Sequence, residues 1–536
     1  MQKLFIKIFA IIKKNPLYLY HRLIIRIKKI ISEIVLSNKY HPYILHNNKY
    51  WKKNIESSNG NVILCDTFDP PEYILSTNYF IQNLAETYNS KILTFSSDKK
   101  TNFKTIRKSL NFSYHIQTKI KSNEIILKKI KIINNAKKNI KSKYDVYNFY
   151  IDDIWIGIDI YETYLKNGRP TVDIADPFFW NVFSDAVELV LFWQNYFNTN
   201  NVKAVFLSHD CYTYYNSIAK VAYLKKVPVY MISAYNFQIA TEPFSLYKDR
   251  FVNYRKMFHK LSENEKKTAI SISKNQIDKR LSGEIGINMN YSEKSAFHKN
   301  KIQKLEIKQS ERIKIVICTH CFFDNPHGYG EMIFHDFYDW LVFLGNISNK
   351  TNYEWYIKVH PDYLPGTIET LNEIIRDFPK FNILPSNVSF HQLSENNIDF
   401  ALTCFGSIGH ELPLLGIQVI NCGPNPHMAY DFNWSAKNKK EYEYYLLNLP
   451  SLDKSIQSEE IYEFYYMHYY YTNVDNLFYE SYSDYLDFIK KNGNYDVSGY
   501  KYFLNEFDDD KHQKLKSISS DFINSNKYHY FLKGPE

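Results

Sequence analysis

Several signatures that would settle the class of this chain at once are missing from it. It has no GxxxxGK[ST] loop and no dinucleotide GxGxxG, the two glycine-rich phosphate cradles with the clearest spacing. Its six cysteines (Cys65, Cys211, Cys318, Cys321, Cys404 and Cys422) are scattered over 536 residues. That excludes a disulfide framework and fits a reducing compartment. The lone Cys318-Thr319-His320-Cys321 has no second ligand pair at zinc-finger spacing. It also falls across a predicted strand end rather than at a helix start, where a redox pair would sit, so a structural role is expected. Acid is absent from residues 1–32, which hold eight Lys/Arg. The apolar clusters between those cations are far shorter than the roughly 18–20 residues of a spanning helix. No small-residue cleavage site follows a long apolar core there, which argues against a signal peptide. An interfacial helix on anionic lipid is the reading this pattern supports. A basic amphipathic helix packed on the protein body is the alternative.

What is present is globular in balance: 45% hydrophobic and 23% charged residues, with Lys+Arg 66 against Asp+Glu 57 for a net +9. The 47 tyrosines go with abundant Lys, Asn and Ile, so single aromatics count for little as ligand platforms. Residues 119–143 hold nine Lys and one Glu. Without interleaved aromatics this run reads as a solvated helix or loop, and no nucleic-acid partner is expected.

Strand and helix patterns alternate along the chain. Strands are predicted at 61–65, 91–95, 202–207 and 227–232, with helices from Pro70-Pro71 to about Tyr88 and from Tyr212 to Lys225. A second series begins at 313–318 and continues near 353–359, 381–384, 398–404 and 417–421. The expected organisation is a basic amphipathic segment (1–49), an acceptor-side Rossmann-like domain (50–250), a helical linker (251–311), a nucleotide-donor Rossmann-like domain (312–450) and a helical, Tyr-rich tail (451–536). The fold class is α/β with parallel sheets, two Rossmann-like domains facing a cleft.

Two short segments carry the chemistry. In Trp355-Tyr356-Ile357-Lys358-Val359-His360-Pro361-Asp362, strand alternation puts Lys358 and His360 on one face, and Pro361 stops the ladder. In Phe400 to Glu411, an apolar strand runs into Gly406-Ser407-Ile408-Gly409-His410-Glu411. Glycine lets the backbone approach a ligand, and amides at a helix start can hold a phosphate. Ser407 adds a hydroxyl and Glu411 an acceptor for ribose hydroxyls. An N-capping serine in an ordinary turn is the alternative. Both segments end strands where open α/β sheets bind ligands, which points to a transferase with a nucleotide-activated donor. The loop Thr319–Gly330 brings His320, Asp324 and His327 toward the same mouth. A metal held by these three matches no strong signature, and neither metal nor cofactor is expected. For a base that accepts the acceptor's proton, Asp210 and His209 at a strand end and Asp176 in a polar loop are the candidates. Turn formation or helix capping is the commoner use of such an Asp.

These stretches, with Ile156–Asp173 (IGIDIYETYLKNGRPTVD), the His320–Trp340 block and Gly406–Gly416 with Pro413 inside, resemble bacterial capsular and surface polysaccharide biosynthesis glycosyltransferases. Those are GT-B type enzymes related to the capsule-synthesis Kdo transferases and, more distantly, to polysialyltransferases. The resemblance spans roughly residues 150–430. It implies that His360 and Ser407 contact a donor phosphate and that Glu411 contacts ribose. The acidic motif that supplies the polysialyltransferase base has no clear counterpart, so the base stays unassigned. The implied partners are a nucleotide-sugar donor, a lipid-linked or polysaccharide acceptor and the inner face of the cytoplasmic membrane. A CDP-polyol phosphotransferase of teichoic-acid type, a non-catalytic capsule-assembly scaffold and a sugar-nucleotide 2-epimerase are the competing readings.

Overall fold

The computed structural model describes residues 39–51, 60–68, 70–96, 104–233, 236–244, 250–287, 289, 294–300, 302, 305–360, 363–471, 478–479, 481–493 and 495–525. The basic segment 1–32 and the Pro361-Asp362 pair lie outside them. The chain is α/β and divides into two compact units: residues up to 117 together with 475–524, and residues 118–474 together with those from 525 on.

In the first unit, β1 (Asn61–Cys65), β2 (Lys91–Ser96) and β3 (Tyr114–Gln117) run parallel. The buried residues of β1 and β2 come as continuous runs, apolar but for Thr94 and Ser96, as expected of parallel strands covered on both faces. Helix Pro71–Thr87 connects β1 to β2 and starts on Pro71, whose missing N–H costs nothing in a first turn. The C-terminal helix Asp509–Asn524 packs back onto it. Tyr79 bonds His512 at 3.2 Å, and Asn83 donates to the Lys516 carbonyl at 3.0 Å and to Ser519.

The second unit opens with helices Asn123–Asn139 and Lys143–Tyr147, followed by a short antiparallel pair, β4 (Tyr150–Ile151) and β5 (Ile154–Trp155). Helices Gly157–Lys166 and Pro177–Thr199 precede β6 (Asn201–Leu207) and helix Tyr212–Leu224. β7 (Val229–Ser233) pairs parallel with β6, whereas β8 (Asn236–Ala240) is antiparallel to β7. This departs from the all-parallel expectation for residues 50–250. Only two residues separate β7 from β8, and a parallel return needs a crossover of a dozen or more.

The second sheet is wholly parallel: β9 (Lys314–Cys318), β10 (Glu354–Lys358), β11 (Phe381–Ile383), β12 (Phe400–Thr403), β13 (Gln418–Cys422) and β14 (Trp434–Ala436). Its order is β11-β10-β9-β12-β13-β14. Counted from β9 this is 3-2-1-4-5-6, the doubly wound order that reverses direction between its first and fourth strands. A ligand in such a sheet binds where the order reverses, at the C-terminal ends of β9 and β12. Both faces are covered: Trp340, Leu341 and Leu344 pack on one side and Phe390, Leu393 and Leu412 on the other. Among the described residues no helix is long and apolar enough to cross a membrane.

Candidate functional site

A cavity of about 400 Å³ opens at this reversal point. Lys358 and His360 at the end of β10, His320 after β9, and Gly406, Ser407 and Glu411 after β12 all line it. Six residues predicted from two strand ends and one loop are therefore gathered around one space.

Lys358 is 3% exposed. Its ammonium reaches the Ser386 carbonyl at 3.5 Å and lies 5.1 Å from the centre of the Phe390 ring. Among the described residues no carboxylate forms an ion pair with it. Burial lowers its pKa to about 8, because a dry, apolar setting disfavours the charged form. A buried cation without a counter-ion suits an anionic ligand, whose arrival would restore the charge. His360, on the same face, is exposed.

The turn after β12 is built around Thr403. Its hydroxyl accepts from the Gly406 N–H at 3.1 Å, and a Cβ on Gly406 would stand 2.8 Å from that oxygen. The His320 Nε2 is 2.9 Å from the same hydroxyl and accepts from the Cys404 N–H at 3.1 Å. Accepting a backbone N–H requires an unprotonated Nε2, so the proton of this neutral ring sits on Nδ1. Burial, and then the neighbouring His360, lowers the His320 pKa to about 3. His320 thus ties the end of β9 to the turn after β12. Ser407 does not cap the following turn: its hydroxyl donates to Glu411 Oε2 at 3.0 Å. The Ser407 and Ile408 N–H groups find no protein acceptor among the described residues. The helix that follows is a single turn, Ile408–Glu411, continued by a 3-10 turn. Any anion here would meet individual amides rather than the dipole of a long helix.

Glu411 is held on its other oxygen by Arg280 Nε at 2.7 Å, with both side chains buried. Arg280 comes from helix Glu263–Leu281, in the segment read as linker, and lines the cavity. The sequence offers no local signal for this pairing. Gly409 stands apart from the cavity wall. A Cβ there would lie 2.3 Å from the His427 ring, which is buried and bonded to His410 at 3.1 Å. Gly409→Ala is therefore expected to lower stability by about 1–3 kcal/mol through overpacking and, because His410 and His427 both line the cavity, to weaken nucleotide binding as well. Parallel denaturant and binding titrations check this.

The Thr319–Gly330 loop spreads over three places. His320 and Tyr329 line the main cavity, and Asp324 and Asn325 line an adjoining space of about 330 Å³ that shares His320 and His360. Asp324 accepts from Tyr212 and lies 3.5 Å from Lys166. His327 accepts the Met332 N–H on Nδ1 at 2.9 Å and faces the His335 carbonyl with Nε2 at 3.3 Å. Both its nitrogens are engaged, and burial lowers its pKa to about 3. Among the described residues no group of three or more His, Cys, Asp and Glu could hold a metal ion.

The candidate bases separate. Asp176 caps helix Pro177–Thr199 by accepting the Phe178 N–H at 2.9 Å, and also accepts from Tyr164 and Arg169. These bonds hold its carboxyl below the usual range, and it lines none of the three spaces. His209 pairs with Ser208 at 2.7 Å, and its ring lies 4.8 Å from that of Tyr215 at a tilt of 33°. Asp210 lines a small pocket with Asp159, Glu162, Lys220, Glu242, Asn325 and His327. Burial, with Asp159 adding its charge, pushes the Asp210 carboxyl up to about 6. Asp159 pairs with buried Lys220 at 2.5 Å, and Glu162 is buried with Oε1 lacking a partner. Burial raises Glu162 well above the carboxylate range.

Two of the stretches singled out in the sequence meet in space. Tyr161 and Thr171 both donate to Asp336, and Lys143 lies 2.5 Å from Asp339.

No family profile matches this chain, and no curated protein does. Solved structures match weakly. The β-Kdo 2,4 transferase KpsC of Thermosulfurimonas dismutans is 12% identical, covering 49% of this chain and 79% of its own, with a TM-score of 0.30. The UDP-GlcNAc 2-epimerase of Neisseria meningitidis, bound to UDP-GlcNAc, is 9% identical over 87% of this chain and 100% of its own, at 0.19. HepE of Anabaena, in complex with UDP and glucose, is 10% identical over 87% and 100%, at 0.24. At these scores the functional reading rests on the chain's own strand order and cavity.

Proposed function

We propose that this chain is a nucleotide-sugar-dependent glycosyltransferase that extends a capsular or other surface polysaccharide at the inner face of the cytoplasmic membrane. The observation that carries the reading is the buried Lys358, without a carboxylate partner among the described residues, at the reversal point of a doubly wound sheet. The donor's phosphates would lie between Lys358, His360 and the turn Gly406–Ile408, with the Ser407 and Ile408 amides as donors. Glu411, held by Arg280, keeps lone pairs for a ribose hydroxyl. As the glycosidic bond to the leaving phosphate breaks, negative charge grows on that oxygen, and fixed donors stabilise it most in the transition state. On the acceptor side Asp210 would take the hydroxyl proton.

The test is a calorimetric titration with CMP, CDP, UDP and GDP. At least one should bind, and Lys358→Met should weaken it by roughly 30-fold, the worth of about 2 kcal/mol for a charge-assisted hydrogen bond. The pH dependence has a definite sign. The ammonium is the binding form and its pKa is lowered to about 8. Affinity should therefore fall roughly tenfold per pH unit above 8, and Lys358→Met should show no such fall. A preference for CDP, with CDP-polyol turnover, would move the reading to polyol-phosphate transfer. A folded protein that binds no nucleotide would sink it.

A further inference from the structure

Helix Asn123–Asn139 presents a surface that the proposed reaction does not use. One side packs against helix Pro177–Thr199, where Lys129 pairs with Glu188 at 2.6 Å. On the other side Ile126, Leu127 and Ile130 are 39%, 66% and 48% exposed. At about 100° per residue, these three fall with Lys131, Lys137 and Lys138 inside one arc of about 140°. Among the described residues no carboxylate forms an ion pair with those three lysines, whereas Lys128 and Lys129 are paired with Asp152 and Glu188. The one acid of the helix is Glu124, in its first turn.

Exposed aliphatic residues are ordinary when single, but three together, rimmed by uncompensated cations, mark an interaction surface. The combination is that of a helix lying in a bilayer interface, with aliphatic side chains among the acyl groups and lysines at headgroup phosphates. A single-stranded nucleic acid would call for aromatic rings on which bases stack, and the arc contains none. We propose that this face of helix Asn123–Asn139 docks on an anionic lipid bilayer. The surface does not depend on the reaction proposed above, so either can fail without the other.

The test uses the full chain and sedimentation with phosphatidylcholine vesicles containing one part in three phosphatidylglycerol. Two triple variants go alongside: Ile126→Gln/Leu127→Gln/Ile130→Gln, and Lys131→Gln/Lys137→Gln/Lys138→Gln. All six sites are exposed and glutamine is a good helix former. Only Lys137, whose ammonium lies 5.4 Å from the centre of the Trp180 ring, gives up a cation–π contact, which is weak at an exposed site, so the melting temperature should move by a few degrees at most. Each triple variant should bind at least tenfold more weakly, since one lysine near such a surface is worth roughly fivefold. A second readout separates this helix from the basic N-terminal segment. An environment-sensitive dye on Leu127→Cys should shift to the blue with anionic vesicles, and the same dye on Asn139→Cys, outside the arc, should not. Unchanged vesicle binding by both variants with no shift at position 127 would overturn the proposal, leaving the N-terminal segment as the lipid contact. Binding of a single-stranded oligonucleotide that depends on the lysines alone, with no vesicle binding, would overturn it in favour of nucleic acid.

Discussion

Asp210→Asn should lower transferase turnover by about 10²–10⁴-fold, the usual worth of a general base, without destabilising the protein at neutral pH. The two effects share a cause. Burial holds the Asp210 carboxyl at about 6 in the folded chain, against about 3.9 when unfolded. The folded state therefore binds this proton more tightly, and the stability it contributes is present at low pH and lost as pH rises from about 4 through 6. Above that window the native protein carries an ionised carboxylate in a confined pocket, and asparagine removes the charge while keeping the shape. Native activity should rise with pH through about 6, as the base ionises, and then level off. The measurements are turnover against pH for both proteins and a melting curve at neutral pH. Asn-variant turnover within tenfold of native would remove Asp210 from the chemistry. A collapse in stability would make it a structural residue.

Arg280→Ala should cost about 3–5 kcal/mol, because it leaves the buried Glu411 carboxylate without its cation. The pair joins helix Glu263–Leu281 to the turn after β12 at 2.7 Å, so its loss should also loosen Ser407, which donates to the same carboxylate. The decisive comparison is a double-mutant cycle by denaturant unfolding. Arg280→Ala/Glu411→Gln should be more stable than Arg280→Ala alone, since removing the orphaned charge relieves its penalty. Additive losses would show that the two side chains are energetically independent. Nucleotide affinity should fall in both single variants, because the Arg280–Glu411 pair that fixes Glu411 beside the Ser407 turn is broken.

Strands β9 to β13 of the second sheet were legible because each is a short apolar run bounded by polar residues. β4, β5 and β14 were not, being two or three residues long and made by tertiary context. β8 was hidden because its polarity, Asn236-Phe237-Gln238-Ile239-Ala240, resembles a loop. The gathering of Lys358, His360, His320, Ser407 and Glu411 round one cavity could be expected, because strand ends and reversal points obey general rules. Arg280 could not, since its partner lies 131 residues away. Asp159 and Glu162 stand in the stretch IGIDIYETYLKNGRPTVD and Lys220 in a helix well downstream of it, but burial and pairing give them their meaning, and one sequence carries neither. Asp176 met both of its readings in the sequence, and the structure supplies the capping bonds of the commoner one.

The first compact unit is made from the two ends of the described chain, with helix Asp509–Asn524 closing over helix Pro71–Thr87. During synthesis, β1 to β3 leave the ribosome several hundred residues before that helix. At the roughly 5–20 residues per second of translation, the partners of Tyr79 and Asn83 come tens of seconds late. Residues 118–474, the bulk of the second unit, are made during that wait. The order of assembly thus runs from the middle of the chain outward, and the part synthesised first is completed last.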